Sequence, residues 1–327
     1  MATSNTMRDK AGLTVRALTP SFGAEIQGVD LTRPLDEATA QAIRDIWIEA
    51  GVLLFRDSGF DDAAQMRLSK VFGELEPSAT PDLNDPDNRF IMSLSYDPDD
   101  TKARFQRNYN FGGVDRAGFI PWHWDQSFMP TIVRGAVLRM ELPSAELGET
   151  GFIDAIDAYE RLSPEMKERI EGMEVVYHFV SDFMTCKAGT PADIRALPRE
   201  AKASTTVYDF PPVVHPMVIT QRETGRKALK ISPLQVQYIL GMDPAESDAL
   251  LAELTAVLLD ERHAYFHTYQ KNDMVVWDNW RMIHSARGVP LHCSRSARRT
   301  TIMGDYAVGR YLDPELDRNR EVKRIID

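Results

Sequence analysis

Cysteine is scarce in this chain: two residues, Cys186 and Cys293, occur among 327. Two cysteines cannot build the disulfide framework of a small secreted protein, so a reducing cytoplasm is the expected location. Neither cysteine stands at a metal-ligand spacing from a second ligand, and both are expected to be packing residues.

Basic residues and long apolar runs are also lacking. Lysine and arginine number 38 against 49 aspartates and glutamates, a formal charge of −11. This balance argues against nucleic acid or an anionic membrane as the main partner, because both reward a basic surface. No apolar run approaches the length that crosses a bilayer, and the N-terminus has no apolar signal core. We therefore expect neither a nucleic-acid nor a membrane partner.

The sequence has no internal repeat, no Gly/Ser linker and no glycine-rich phosphate loop, so one domain over residues 1–327 is expected. Strand-like segments at both ends enclose a few helical ones. This order predicts an α+β or mainly β barrel with helices packed on one face. A doubly wound parallel sheet is disfavoured, because strands and helices do not alternate regularly.

Helical apolar spacing predicts one helix that ends at Gly51, a second over DDAAQMRLSKVFGEL, a third over DAIDAYERLSPEMKERIEGM, and a fourth from about Asp243 to His263. Two polar stretches that contain several prolines separate the periodic segments. They cover residues 76–120 and 181–212. Long irregular regions in compact domains are usually functional, so we expect both to be active-site loops.

The segment WHWDQSF places His123 and Asp125 two positions apart. On an extended chain such residues point to the same face, so both could reach one metal ion. The tripeptide is common, however, and on its own it is more typical of a polar turn than of a metal site. His284 follows in a predicted strand after the WDNW turn. Two imidazoles and one carboxylate are the set that leaves coordination positions open on Fe(II), whereas structural zinc takes four protein ligands or thiolates.

A competing pair is His263 and His267, which have the i, i+4 spacing of a helix face. That spacing can hold zinc in metalloproteases, where a glutamate follows the first histidine as general base. Ala264 stands at that position here. A helix-surface or packing role is therefore favoured for both.

Arginines follow the third candidate ligand. Arg295, Arg298 and Arg299 lie in or beside a predicted strand. A guanidinium forms a planar, bidentate pair with a carboxylate, which a dicarboxylate co-substrate requires. Strand alternation puts Arg298 and Arg299 on opposite faces, and the sequence does not choose which face points inward.

Taken together, the motifs resemble those of the taurine dioxygenase family of Fe(II)/2-oxoglutarate-dependent oxygenases, which includes phenoxyalkanoate dioxygenases. The similar segments are FGAEIQGVDLTRPLD, VFGEL, WHWDQSF, LGETGFIDAIDAYERLSP, ETGRKAL, VVWDNWRMIHSA and RRTTI. Their order along the chain is more specific than any one segment.

The resemblance implies a double-stranded β-helix core, a jelly-roll of the cupin type. It implies that His123, Asp125 and His284 are the catalytic iron ligands. Arg299 matches the arginine that pairs with the distal carboxylate of 2-oxoglutarate, and Thr150 matches a threonine that hydrogen-bonds the co-substrate. Related halogenases replace the carboxylate ligand with a small residue, so the retained Asp125 disfavours halogenation.

The sequence departs from the family pattern in several places. The family motif is usually WDNR, and Trp280 replaces its arginine, which predicts altered packing or hydrogen bonding behind the iron site. The segment after VFGEL lacks the histidine that the taurine enzyme uses on its sulfonate. Asp182 falls where that enzyme has a small polar pocket residue, and Phe183 matches a pocket aromatic. Taurine itself is therefore disfavoured.

The resemblance implies an oxidoreductase that uses Fe(II), 2-oxoglutarate and O2. It would hydroxylate, oxidatively cleave or desaturate a small organic substrate and release succinate and CO2. A substrate with an apolar or aromatic part and an anionic group is expected to contact Trp122, Phe183, Asp182, Arg104 and Arg107. Self-association is expected because related enzymes are often oligomers.

Two other functions are compatible with the three candidate ligands. One is a non-catalytic cupin-like module that binds a ligand or metal. The other is a zinc hydrolase that uses the same triad and a water molecule. Neither function needs Thr150 together with Arg299, so both rank below the dioxygenase.

Overall fold

The computed structural model describes residues 8–10, 12–99, 108–198, 209–305 and 307–318. The strands are β1 (Arg8–Lys10), β2 (Leu13–Ala17), β3 (Ala24–Gln27), β4 (Val52–Phe55), β5 (Leu75–Glu76), β6 (Ile91–Tyr96), β7 (Tyr109–Phe111), β8 (Val114–His123), β9 (Gly135–Leu142), β10 (Thr150–Asp154), β11 (Glu174–Tyr177), β12 (Arg195–Ala196), β13 (Val213–Pro216), β14 (Val218–Thr220), β15 (Lys227–Leu229), β16 (Val236–Ile239), β17 (Tyr265–His267), β18 (Met274–Asp278), β19 (Met282–Pro290), β20 (Arg295–Ile302) and β21 (Arg310–Tyr311). The α-helices are α1 (Glu37–Ala50), α2 (Asp62–Phe72), α3 (Ala155–Glu160), α4 (Pro164–Ile170), α5 (Pro244–Leu258) and α6 (Pro314–Arg318). Short 3-10 helices cover Pro81–Leu83, Phe183–Thr185 and Glu261–His263.

Two sheets form the centre of the molecule. The larger sheet has the order β1-β2-β3-β4-β18-β9-β20-β5, with β6 also paired to β20, and the smaller has the order β12-β7-β8-β19-β10-β17. Phe152 of the smaller sheet contacts Trp277 of the larger, with ring centroids 6.0 Å apart. The two sheets therefore face each other across an apolar interior, and the predicted jelly-roll core is confirmed.

Helix α1 forms where the sequence predicts it, because both of its ends are specified locally. The Asp36 side chain accepts a hydrogen bond from the Thr39 backbone N–H and caps the first turn. Gly51 ends the helix with φ +75° and donates its N–H to the Trp47 carbonyl. The face that carries Ile43 and Ile46 is buried.

Helices cover the outer faces of both sheets, whereas the sequence predicted helices on one face. Helices α1 and α2 pack on the larger sheet around Val137 and Val276. Helices α3, α4 and α5 pack over the smaller sheet, whose outer side chains include Ile153 and Ile283. Each sheet has an apolar outer side as well as an apolar inner side, so each needs its own cover.

Several local predictions differ from the structure. The region 76–120 contains β6, β7 and β8, so it is only partly irregular. The region 181–212 contains a 3-10 helix and the short strand β12. The helix predicted over DAIDAYERLSPEMKERIEGM is two helices, because Ser163 caps a new helix that begins at Pro164. The helix predicted to reach His263 ends at Leu258 and is followed by a separate 3-10 turn. None of the helices that the structure describes has the length and apolarity of a membrane span.

Candidate metal centre

Strand pairing brings His123, Asp125 and His284 together. His123 ends β8 and pairs in register with His284 of β19, while Asp125 lies in the turn that follows β8. The Nε2 atoms of the two histidines each lie 3.7 Å from Asp125 Oδ1. One ligand atom from each of the three side chains lies within 4.8 Å of the other two. The three donors therefore converge on one point.

The His284 imidazole is buried and the His123 imidazole is partly buried, and different neighbours hold them. His123 Nδ1 lies 2.8 Å from the Pro121 carbonyl oxygen, which accepts its proton and leaves the Nε2 lone pair toward the site. The His284 ring stacks beside Phe152 and packs against Trp277. Burial lowers the pKa of both histidines below the usual value, and for His284 the neighbouring His123 adds to the effect. Neutral imidazoles are the form that binds a metal.

The Asp125 carboxylate is ionised and fixed by the WDNW turn. Its backbone N–H donates to Asn279 Oδ1 at 2.7 Å, and Asn279 Nδ2 donates back to the Asp125 carbonyl at 3.1 Å. Trp277 Nε1 donates to Asp125 Oδ2 at 3.1 Å. Burial alone would raise the pKa of Asp125, but Arg299 and the two histidines outweigh it and lower that pKa to about 2. Asn279 and Trp277 are site residues that the sequence reasoning missed, although both lie in the WDN motif that it quoted.

This donor set fits a ferrous ion. Two neutral imidazoles and one ionised carboxylate are the facial triad of non-haem Fe(II) enzymes. Within the described residues, no fourth histidine, cysteine or acidic side chain joins the group. The set thus lacks the fourth protein ligand of a structural zinc site.

The structure decides which arginine faces inward. Arg299 Nη2 lies 2.8 Å from Asp125 Oδ2, and its guanidinium lies 5.4 Å from the centroid of the Trp277 ring. Its Nε is buried and has no hydrogen-bond partner among the described residues. Arg298 points to the opposite face, where it pairs with Asp62 and Asp85, each at 2.7 Å. Arg299 therefore lies at the metal end of the interior.

A second arginine lies on the same face of β20, four residues before Arg299. The Arg295 guanidinium is 5.8 Å from the centroid of the Tyr269 ring, and the Tyr269 hydroxyl donates to Thr150 Oγ1 at 2.9 Å. Burial lowers the pKa of Arg295. The resemblance gave the distal end of the co-substrate to Arg299, but in the structure Arg295 is the arginine beside the Tyr269 ring, whose hydroxyl bonds Thr150. The alternation of Arg295, Ala297 and Arg299 along one strand face was the available signal.

The tryptophans of WHWDQSF pack behind the site rather than line it, so the expected contact of Trp122 with the substrate is not supported by its position. Trp122 is 4% exposed and lies in the cluster beneath helix α5, with its ring against Phe266. Trp124 is fully buried against Tyr177 and His215. Strand alternation explains this, because the neighbours of an inward His123 point outward.

The other predicted substrate contacts have different surroundings. Phe183 is buried and stacks on Tyr109, with ring centroids 5.3 Å apart. Asp182 is half-buried, and its carboxylate accepts from the Met184 N–H as the cap of the 3-10 helix. Arg104 and Arg107 lie outside the described residues.

The two histidines of the competing zinc pattern do not share a helix. His263 ends the 3-10 turn, and His267 lies in β17. His267 is buried and uses both ring nitrogens, one with the Tyr265 hydroxyl at 2.9 Å and the other with Asp273 at 3.1 Å. The predicted helix-surface role is wrong for this residue, and the predicted packing role fits its burial.

Comparison with known proteins gives consistent matches along the chain. The family model described as "Taurine catabolism dioxygenase TauD, TfdA family" matches residues 14–301. The (S)-phenoxypropionate/alpha-ketoglutarate-dioxygenase of Sphingobium herbicidovorans is 29% identical over 301 residues, which are 90% of this chain and 96% of that protein. The alpha-ketoglutarate-dependent sulfate ester dioxygenase of Pseudomonas putida is 28% identical over 309 residues, 94% of each chain.

A solved structure shows the same fold. The crystal structure of a taurine dioxygenase from Burkholderia xenovorans has a TM-score of 0.68 with 23% identity and covers 93% of this chain and 94% of its own. The chain thus belongs to the TauD/TfdA family of dioxygenases, oxidoreductases that use Fe(II), 2-oxoglutarate and O2 to oxidise small organic molecules.

Proposed function

We propose that His123, Asp125 and His284 bind the Fe(II) of this dioxygenase. The observation that carries the proposal is the convergence of their three donor atoms within 4.8 Å. The lowered pKa of each of these groups supports it, because both imidazoles are then neutral and the carboxylate ionised at neutral pH. When bound, Fe(II) and 2-oxoglutarate activate O2 for oxidation of a substrate C–H bond with release of succinate and CO2.

We assign the distal carboxylate of 2-oxoglutarate to Arg295 and Thr150. The Tyr269 hydroxyl donates to Thr150 Oγ1, so the hydroxyl proton of Thr150 is left to be donated to a ligand. Arg295 forms no ion pair with a carboxylate among the described residues. A partly buried guanidinium beside a tyrosine whose hydroxyl bonds Thr150 is suited to a bidentate carboxylate.

Arg299 is assigned to the metal end of the co-substrate. It lies against Asp125, and its buried Nε has no partner within the described part of the chain. A carboxylate that chelates the iron would bring negative charge next to this guanidinium. Arg299 would then orient that carboxylate while it keeps Asp125 ionised.

The substrate that fits best has an anionic group and an apolar part. The two relatives described above are named for phenoxypropionate and for sulfate esters, which both have this character. Phe183 supports an apolar wall, because it packs with Tyr109 and with Phe119 of β8, four residues before His123. Binding there would hold the reacting C–H bond near the iron and exclude water.

Two further proposals have indirect support. A cytoplasmic location is supported by the free thiols of Cys186 and Cys293. Self-association is supported by the family resemblance alone.

The iron site is tested by spectroscopy without a known substrate. Fe(II) and 2-oxoglutarate added to the protein without oxygen should give a weak visible charge-transfer band, and His284→Ala should abolish it. A screen of small organic anions, read out by succinate formation, then identifies the substrate class. A wild-type protein without the band, or a His284→Ala protein that retains it, would contradict the assignment. Activation by zinc rather than inhibition would instead support the hydrolase alternative.

A further inference from the structure

Lys230 is a buried lysine directly behind the metal centre. It follows β15, and its side chain is 0% exposed. Its Nζ donates to the Asn279 carbonyl oxygen and lies 4.5 Å from the centroid of the Trp124 ring. Its backbone is fixed as well, because its N–H donates to the Met217 carbonyl at 2.7 Å and its carbonyl accepts from the Tyr177 hydroxyl at 2.9 Å. Desolvating an ammonium group is costly, so its contacts must offset that cost.

The two contacts of Lys230 reach the two chain segments that carry the metal ligands. Trp124 stands between His123 and Asp125. Asn279 belongs to the turn before His284, and its side chain bonds the backbone N–H and carbonyl of Asp125. One ammonium group thus joins both segments on the side away from the metal.

The chain around Lys230 strengthens this clamp. Two residues later, Ser232 Oγ accepts from the Trp124 N–H at 3.4 Å, and the Leu234 N–H donates to the Trp122 carbonyl at 3.1 Å. The segment from Lys230 to Leu234 therefore runs along the back of WHWDQSF. It contacts the residues on either side of His123.

The WDNW turn itself contributes no basic side chain near the Asn279 carbonyl, to which Lys230 donates. Trp280 is apolar and buried where the family motif usually has arginine. Arg281 points elsewhere, to Asp154 and to the Ile48 and Glu49 carbonyls at the end of α1. Lys230 reaches the same turn from the segment that follows β15.

Two carboxylates lie near Lys230: Asp125 of the metal centre and Asp278 of the WDNW turn. Burial lowers the pKa of Lys230 to about 7, and the nearby Asp278 and Asp125 oppose the shift. Asp278 is itself buried and bonded by Gln221 at 3.1 Å and by the Trp280 N–H at 2.9 Å.

We propose that Lys230 is a positioning residue for the iron site: its side-chain amino group holds the Asn279 carbonyl and the Trp124 ring, and through them sets Asp125 and His284. The inference rests on the proposed iron ligands. The proposal also bears on Trp280, which stands where the family motif usually has arginine. Lys230 would supply the basic side chain that this position of the turn lacks here. Lys230 touches neither metal nor substrate in this role, so it acts by alignment of ligands.

The test measures metal affinity rather than turnover. Apo-protein is titrated with Co(II), whose visible absorption reports ligand geometry, and with Fe(II) plus 2-oxoglutarate without oxygen. Lys230→Met keeps the length of the side chain but removes the charge and the donor. We expect it to weaken metal binding about ten-fold or more and to change the Co(II) spectrum. Lys230→Arg, which keeps both charge and donor, should retain most of the affinity.

The matched control is Arg139→Met. Arg139 is also a buried cation, 3% exposed, but it pairs with Asp62 and Glu141 on the outer face of the larger sheet. Both variants should lose stability in urea unfolding, whereas only Lys230→Met should lose metal affinity. If Lys230→Met does not fold, the same titration is made on Lys230→Gln, for which we expect a smaller loss of affinity than ten-fold.

Two outcomes would overturn the inference. One is a folded Lys230→Met, or a folded Lys230→Gln in its place, with wild-type affinity and spectrum. The other is an equal loss of affinity in Arg139→Met. In both of these outcomes the wild-type protein still binds metal. A wild-type protein that fails to bind Co(II) or Fe(II) at this site contradicts the proposed iron ligands instead, so the two failures are distinguishable.

Discussion

In the proposed site, two arginine side chains hold the two ends of the co-substrate. Arg299 lies against Asp125, and Arg295 lies beside Tyr269, which bonds Thr150. Both arginines come from the inner face of β20. A dicarboxylate placed between them would have one charged end at the metal and the other at the hydroxyl pair.

This arrangement predicts a specific kinetic defect. Arg295→Met should raise the KM for 2-oxoglutarate about ten-fold or more, since a charged hydrogen-bonded pair contributes about 1.5–3 kcal/mol. The measurement is succinate formation over a range of 2-oxoglutarate concentrations. Arg298→Met is the control, because the neighbouring Arg298 points outward to Asp62 and Asp85. An unchanged KM in Arg295→Met, or equal effects of both substitutions, would contradict the assignment.

The sequence relates the two nearby ligand candidates more directly than it relates the arginines. His123 and Asp125 are two positions apart in the chain, so strand alternation alone puts both on one side. The phase of β20 depends instead on its pairing with β6 and β9, which lie far away in the sequence. Strand alternation groups Arg295 with Arg299, but only this pairing shows that their shared face is the inner one.

At the scale of elements, the junction of α1 with β4 lies directly under the WDNW region. Gly51 has φ +75°, and an added Cβ would lie 2.8 Å from Met282 Sδ and 3.0 Å from Arg281 Nε. The same Arg281 bonds the last carbonyls of α1. The end of this helix and the beginning of β19 therefore share one tightly packed contact.

We expect Gly51→Ala to destabilise the fold by about 2–4 kcal/mol, the sum of left-handed strain and overpacking. Urea unfolding at equilibrium measures this loss. Gly225→Ala is the matched control, because Gly225 has φ +70° and nothing lies within 4 Å of an added Cβ. It should lose only about 1–2 kcal/mol. Equal losses in the two variants would show that the contact with Met282 and Arg281 relaxes freely.

The sequence predicts well those elements whose ends are marked by capping residues. Asp36 and Gly51 define α1 within a few residues of its ends. Strand β6 escaped prediction because it lies in a stretch rich in Pro, Asp and Asn, and its pairing partner β20 is about two hundred residues away. The region from His263 to His267 read as helix because its spacing fits one, while pairing with β10 makes β17 a strand.

At the scale of the whole molecule, one ionic network ties α2 to the larger sheet. Arg298 of β20 pairs with Asp62 of α2 and with Asp85 of the loop before β6, and Arg139 of β9 also pairs with Asp62. Partial burial alone would raise the pKa of both carboxyls. The arginines, and for Asp85 backbone N–H groups as well, outweigh burial and lower the pKa of each.

A lowered carboxyl pKa makes stability depend on pH in a definite direction. The unfolded state takes up protons at about pH 4, before the folded state does, so this stabilisation is present above that pH and is lost as pH falls. Arg298→Met should therefore be less stable than wild type at neutral pH, and the difference in unfolding free energy should shrink below about pH 4.

Urea unfolding at several pH values checks this prediction. Arg226→Met is the control, since Arg226 and its partner Glu160 are both exposed and such pairs contribute little. A difference between wild type and Arg298→Met that stays constant down to pH 3 would show that the network does not stabilise the ionised carboxyls.

The hydrogen bonds between Asp125 and Asn279 join positions 154 residues apart. Their formation requires closure of a loop that contains about half of the chain, so they belong to the slow, nonlocal part of folding. Before that closure, His123 and His284 belong to two separate pieces of sheet. Affinity for the metal should therefore emerge late during refolding, after most of the helical signal has returned. The time at which metal binding appears during refolding would thus show when the native topology forms.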